Sequence, residues 1–236
     1  MIVYGRNPVR EALRGRRRVQ RVFASEKAAQ EVWLGGVETV LAEAWELEER
    51  CGSPDHQGIC AEVGPYPYAD PDSLLEPEDA LVLALDEVQD PHNLGAIARV
   101  AESAGCTGVV LPERRSAEVT PAVCRASAGA VEHLDIARVG NLASWLLSAK
   151  ERESLWVYGA EADASVRYDQ PDYSGRVILV LGSEGRGLRP RVAETCDELI
   201  HLPVSGKVGS LNVSTAASAL VYGILHFRGE TLDRAP

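Results

Sequence analysis

The chain lacks the features that mark several large classes of protein. No apolar run approaches the roughly 20 residues that a membrane-spanning helix needs, and no charged and then apolar leader opens the sequence. We therefore expect a cytosolic, cytoplasmic protein. A basic excess is missing too, since the net charge is −11 over 236 residues, which argues against a protein that coats nucleic acid. An RNA enzyme is not excluded, because local patches decide contact whereas global charge mainly sets solubility and steering.

Cysteine is also scarce and irregularly spaced. The five cysteines are Cys51, Cys60, Cys106, Cys124 and Cys196. Their number is odd and they show no paired metal-ligand spacing, so we predict no metal site. Reduced thiols in or near the core are the expectation for such a set in the cytosol.

The composition and the hydrophobic pattern of the sequence change near residue 80. Residues 65–79 are rich in Pro and Asp, a composition that predicts a linker with at most one helical turn, around 73–75. Beyond it, short apolar runs alternate with helical segments, which predicts an α/β fold with a parallel sheet and helices on both faces. We expect a small N-terminal domain at 1–66, a linker at 67–79 and a larger domain at 80–236.

The N-terminal part holds a basic segment within an acidic chain. Arginines cluster between a predicted helix, which Asn7 caps and Pro8 opens, and a predicted strand that contains Val19, Val22 and Phe23. One interpretation is a solvated helix end, because cations suit the helix C-terminus. The other is phosphate contact, since the planar guanidinium binds phosphate oxygens well. The residues alone leave the two interpretations even.

Three stretches of the larger part each leave a predicted strand and enter a glycine-bearing polar loop. Residues 81–112 contain DPHNLGAIAR, residues 177–190 contain GSEGRGL and residues 199–224 contain SLNVS. Ligands of parallel sheets bind at the carboxyl ends of the strands, so these loops can converge on one site. Glycine permits backbone angles that wrap closely around a small ligand. Each stretch alone also fits an ordinary strand–loop–helix unit.

In this order and combination, the three stretches resemble the motifs of the SpoU-type RNA ribose 2′-O-methyltransferases, a branch of the SPOUT superfamily. The segment HQGICA at 56–61 is similar to the end of the small RNA-binding domain in the ribosomal-RNA members, whose fold resembles one seen in ribosomal proteins. The resemblance implies a knotted (trefoil) parallel-sheet domain and a homodimer formed through it. It also favours RNA contact by the basic segment, through Arg6, Arg10, Arg16, Arg17 and Arg18.

The resemblance further implies S-adenosylmethionine as the methyl donor. Gly182, Leu202 and Leu211 match the positions that bind it, and Gly187 would let the chain bend close to the ligand. Adenine needs an apolar slot with N–H and C=O partners, which two leucines and nearby backbone can provide. Taken singly, each leucine is equally compatible with core packing and each glycine with a turn.

Five residues match the catalytic positions of the family. Arg99 matches the arginine at the acceptor hydroxyl, with Asn93 and Glu184 as its expected partners, and Ser210 and Asn212 match the pair of the third motif. Asn212 or Ser210 can also cap the last helix. Because a guanidinium stays protonated at neutral pH, we expect Arg99 to stabilise the developing alkoxide, or to lose its proton only with help from a substrate phosphate.

Three other classes of protein compete with this interpretation. A dinucleotide-dependent oxidoreductase would need a spaced G-x-G-x-x-G after a strand, and a serine hydrolase would need G-x-S-x-G. Neither pattern occurs. A non-catalytic RNA-binding module remains, although Asn93 and Arg99 are present. We predict transfer of a methyl group to a ribose 2′-hydroxyl, most like the enzymes that act on a guanosine of 23S ribosomal RNA, with transfer RNA as the alternative substrate.

Overall fold

The structure is a computed structural model that describes residues 1–207 and 209–229. Its strands form two sheets, one at each end of the chain. The strands are β1 (Ile2–Tyr4), β2 (Val19–Ala24), β3 (Thr39–Leu41), β4 (Ile59–Val63), β5 (Leu81–Leu85), β6 (Gly108–Pro112), β7 (Ile136–Val139), β8 (Leu155–Ala160), β9 (Val166–Arg167), β10 (Arg176–Leu181) and β11 (Glu198–His201). The helices are α1 (Arg6–Arg14), α2 (Glu26–Ala29), α3 (Ala44–Cys51), α4 (Pro91–Ser103), α5 (Pro121–Ala126), α6 (Leu142–Ala149), α7 (Pro190–Ala193) and α8 (Val213–Phe227).

The N-terminal sheet has the strand order β1-β4-β2-β3. Strands β1 and β2 run antiparallel to β4, and β3 runs parallel to β2. Helix α1 begins at Arg6, so the prediction that Asn7 caps it is wrong. Gly5 adopts φ 93° and donates its amide to the Ile59 carbonyl at 3.1 Å. This turn carries the chain from β1 straight into the helix, a change of direction that glycine permits and side chains resist.

The C-terminal sheet has seven strands, all parallel, in the order β7-β6-β5-β10-β8-β11-β9. This confirms the predicted α/β fold. One face packs against α4 and α8 and the other against α6 and α7, so that every residue of β5 is buried. Strand β9 was not predicted, because two residues carry no readable pattern. The trefoil knot stays a prediction.

Two helix boundaries differ from expectation. The sequence predicts a helix over 94–104, but α4 begins three residues earlier, at Pro91. The Asp90 side chain accepts the His92 amide at 2.9 Å and caps the first turn. Helix α7 ends at Ala193, whereas the sequence predicted helix up to Cys196. None of the helices in the described ranges combines the length and apolarity needed to cross a bilayer.

The segment expected as a linker packs against the larger sheet. It contains the single helical turn that was predicted, Ser73–Leu75, and both leucines of that turn are buried in the core. Ala69 forms a parallel bridge to Ala137 of β7. Just before it, the Tyr66 hydroxyl donates to the carbonyls of Val131 and Leu134, at 3.0 and 2.8 Å. These contacts fix the N-terminal part against the larger domain.

Candidate active site

The polar loops meet at one edge of the parallel sheet. Strands β5, β10, β8 and β11 are neighbours and run in the same direction, so their carboxyl ends lie side by side. The loops after β8, β10 and β11 enclose a cavity of about 520 Å³, here called the larger cavity. All four predicted donor-binding residues line it: Gly182, Gly187, Leu202 and Leu211.

The loop after β10 folds back on itself over only a few residues. Ser183 and Gly187 exchange two backbone hydrogen bonds of 3.1 Å each. A Cβ on Gly182 would collide with the carbonyl carbon of Gly187, and Gly187 itself has φ 65°. Both glycines are therefore required by the backbone of this loop. Their contact with the donor stays a prediction.

Three side chains, one from each of the three motif stretches, form one hydrogen-bonded network. The Asn93 amide donates to Glu184 Oε1 at 2.9 Å, and the Asn212 amide donates to Glu184 Oε1 and to Asn93 Oδ1, the latter at 3.1 Å. Asn212 Oδ1 accepts the Ser214 amide at 2.9 Å and so caps α8. One asparagine therefore fixes both the helix start and the Glu184 carboxylate.

A second cavity, of about 370 Å³, is also lined by members of this network and is here called the smaller cavity. Asn93 lines only the smaller cavity, whereas Glu184 and Arg186 line both. Glu87, also in its lining, adopts φ 60°, an uncommon conformation for a residue with a side chain. Such local strain often occurs at functional sites, where the surrounding structure maintains it.

A buried carboxylate, Asp86, joins the loop after β5 to the loop after β10. Asp86 is fully buried and accepts Arg189 Nε at 2.7 Å and the Arg189 amide at 2.8 Å. The hydrogen bond to Asp86 raises the pKa of the Arg189 guanidinium. The sequence reasoning missed Asp86, although an acidic residue directly after a buried strand is a usable signal.

The structure does not bring Arg99 to the network. Its side chain is exposed on α4, lines neither cavity and has no hydrogen bond or ion pair among residues 1–207 and 209–229. Asn93 precedes it by six residues, or about 9 Å along a helix. Ser210 lines the larger cavity and is exposed. Of the five catalytic candidates, Asn93, Glu184 and Asn212 are joined by hydrogen bonds, whereas Arg99 and Ser210 lie outside this network.

Arg17 requires a correction, because the structure buries it. Its side chain is 1% exposed and pairs with Glu132, whose side chain is 0% exposed, through Nε–Oε2 at 2.8 Å and a second contact between Nη2 and Oε1. Burial alone would lower the pKa of Arg17, but the hydrogen bond to Glu132 prevails and raises it. In this position Arg17 joins the two parts of the chain and does not reach an RNA phosphate.

The other four arginines of the basic segment remain at the surface. Three have carboxylate partners within the protein: Arg6 with Glu31 at 2.9 Å, Arg10 with Glu11 at 2.8 Å, and Arg16 with Asp135. Arg18 is exposed and has no such partner in the described part of the chain. Contact of these four with RNA stays a prediction.

The thiols of Cys124, which is buried, and Cys196, which is half-buried, are poorly suited to nucleophilic chemistry. Burial raises the pKa of Cys124 to about 11 and that of Cys196 to about 12. The thiolate is the reactive form, so both are protonated at neutral pH. Across residues 1–207 and 209–229, no group of three or more His, Cys, Asp and Glu side chains is placed to hold a metal ion.

Comparison with known proteins decides the family. The model of the SpoU rRNA Methylase family matches residues 80–222. The chain belongs to this family. A second family model, RNA 2′-O ribose methyltransferase substrate binding, matches residues 2–69. The protein is therefore an S-adenosylmethionine-dependent RNA methyltransferase with an N-terminal substrate-binding domain.

Relatives in both sequence and structure span nearly the whole chain. YacO of Bacillus subtilis (strain 168), assigned to the TrmH family of tRNA/rRNA methyltransferases, is 39% identical over 239 residues, covering 96% of this chain and 95% of its own. An RNA methyltransferase of the TrmH family from Porphyromonas gingivalis superposes with a TM-score of 0.78 at 30% identity, covering 94% and 88%. The SpoU methyltransferase AviRb from Streptomyces viridochromogenes, solved in complex with AdoMet, gives a TM-score of 0.80 at 24% identity, covers 97% and 90%, and shows the shared fold.

Proposed function

We propose that this SpoU methylase transfers a methyl group to the ribose 2′-hydroxyl of a guanosine in 23S ribosomal RNA. The observation that carries the proposal is that the hydrogen-bonded residues Asn93, Glu184 and Asn212 together line two cavities. Such a placement suits a reaction in which two separate ligands must meet. The N-terminal substrate-binding domain and its HQG segment at 56–58 support ribosomal RNA as the substrate.

The larger cavity fits the donor in size and lining. Gly182 and Gly187 let the loop after β10 fold tightly at its wall, and Leu202 and Leu211 offer apolar walls for adenine. Bound there, S-adenosylmethionine would supply a methyl group on a sulfur that is already positively charged, so that the leaving group needs no acid. The role of the chain is then to hold donor and acceptor in line, and such positioning is worth about 7–11 kcal/mol.

The smaller cavity would receive the acceptor ribose. There the Asn93 and Glu184 side chains would orient the sugar, and Asn212 would hold both in place. Ser210, at the rim of the larger cavity, would support the same network from the donor side. Arg186 lines both cavities and would contact the phosphate next to the acceptor.

Arg99 would complete the site from a second subunit. We propose a homodimer through the knotted methyltransferase domain, because Arg99 lies outside both cavities of its own chain. Helix α4, which carries Arg99, packs against α8, and α8 exposes Tyr222 at 42% and Phe227 at 44%. These exposed side chains would contribute apolar area to a subunit contact that includes α4 and α8. In the dimer the guanidinium would stabilise the developing alkoxide, since it stays protonated.

The test is transfer of a labelled methyl group into unmodified 23S ribosomal RNA, followed by mapping of the modified ribose. Arg99→Ala should reduce incorporation at least about 100-fold, as expected when a stabilising charge is removed from the transition state. Arg99→Lys keeps the charge without the planar fork and should retain part of the activity. Incorporation into transfer RNA instead would favour the alternative substrate, and incorporation into neither RNA would overturn the proposed substrate.

A further inference from the structure

Glu161 is a carboxylate of the larger cavity that lies outside the three motif loops. It follows β8, and its amide donates to the Ile200 carbonyl of β11 at 3.0 Å. Its Oε1 accepts the backbone amide of Leu188, in the loop after β10. The neighbouring strand and loop therefore fix this side chain at the wall of the cavity.

The carboxylate lies directly over Gly187. A Cβ on Gly187 would be 2.5 Å from Glu161 Oε1 and 2.7 Å from Oε2. Oε2 has no hydrogen-bond partner among the described residues, whereas Oε1 is held by Leu188. One oxygen thus anchors the side chain and the other remains available at the cavity that Gly187 also lines.

The charged lining of the larger cavity is predominantly negative. Its carboxylates are Glu161, Asp163 and Glu184, against the single guanidinium of Arg186. Glu184 receives its hydrogen bonds from the neutral amides of Asn93 and Asn212, which do not cancel its charge. The potential in the cavity therefore favours a cationic ligand.

The two forms of the cofactor differ by one charge. The donor carries a sulfonium; when the methyl group moves to oxygen, sulfur keeps the bonding electron pair and becomes neutral. A fixed carboxylate attracts the first form more than the second, and the difference is larger near the protein than in bulk water. We propose that Glu161 is a specificity residue that makes the cavity prefer the charged donor over its neutral thioether product.

The experiment is calorimetric titration of the full-length protein with S-adenosylmethionine and with S-adenosylhomocysteine. Glu161→Gln retains an oxygen for the Leu188 amide but removes the charge. It should weaken binding of S-adenosylmethionine about tenfold, or ~1.4 kcal/mol, while affinity for S-adenosylhomocysteine changes less than about twofold. Sinefungin, which carries a protonated amine in place of the sulfonium, should follow the donor.

Asp163→Asn is the matched control, because Asp163 lines the same cavity but is exposed and more strongly screened. It should weaken binding of S-adenosylmethionine by a smaller factor than Glu161→Gln does and leave the affinity for S-adenosylhomocysteine nearly unchanged. An equal loss of both ligands in Glu161→Gln would make Glu161 a structural brace, and no loss would remove it from the site; either result overturns the proposal. An Asp163→Asn effect as large as that of Glu161→Gln would overturn it too. All these outcomes concern the donor only and are independent of which RNA is methylated.

Discussion

The basic N-terminal segment and the motif loops at the carboxyl edge of the larger sheet use their polar residues in opposite ways. In the loops, Asn93, Glu184 and Asn212 bond to one another beside two cavities and remain directed at possible ligands. In the segment, Arg17 and Arg16 bond to acidic residues of the other domain. The first set forms a site, whereas the second set mainly joins two parts of the protein.

This difference indicates under which conditions a sequence pattern predicts function. Parallel strands deliver their following loops to one edge of the sheet, so residues as distant as Asn93 and Glu184 meet for topological reasons that the sequence reveals. No such rule brings Glu132 to Arg17, 115 residues away. A cluster of like charges is therefore ambiguous until the counter-charges that fold against it are known.

The largest expected effect is a loss of stability when the buried ion pair between Arg17 and Glu132 is broken. Glu132→Ala should lower the free energy of unfolding by about 3–5 kcal/mol, because it leaves a buried guanidinium without its partner. Arg16→Ala, at a pair whose side chains are 62% and 34% exposed, should cost less than ~1 kcal/mol. Urea denaturation followed by far-UV circular dichroism measures both. Similar losses in the two variants would mean that the two pairs do not differ as the structure indicates.

The second largest effect is expected in the hydrogen-bonded network of Asn93, Glu184 and Asn212. Asn212→Ala removes the α8 cap together with the bonds to Glu184 and Asn93. It should cost about 1 kcal/mol of stability and about 100-fold in methyl transfer, since small displacements of positioning groups have such effects. Asn212→Ser retains a good cap but cannot reach Glu184, so it should keep the stability and lose the activity. Full activity in Asn212→Ser would show that the cap alone matters.

Much of the fold was readable from the sequence because its strongest signals are local. The apolar run at 81–85 predicts a buried strand, and Thr120 before Pro121 predicts a capped helix start. Strand β5 and helix α5 confirm both. The start of α1 was misread because Gly5 turns the chain before Asn7 can act as a cap. In the site, glycines and polar motif residues were identified, but Asp86 and Glu161 were missed. An acid at a strand end resembles a solvated loop residue until its partners, Arg189 and Leu188, are seen.

The smallest effect asks whether any part of the basic segment touches RNA. Arg18 is exposed and has no carboxylate partner in the described ranges, so its charge is fully available to a phosphate. Arg18→Ala should weaken RNA binding severalfold and lower the slope of log affinity against log salt by about 1. Arg16→Ala should do less, because Asp135 already neutralises that guanidinium. Filter binding over a salt series distinguishes them. A larger effect for Arg16 would mean that RNA displaces Asp135, and the joining residues would then belong to the binding surface as well.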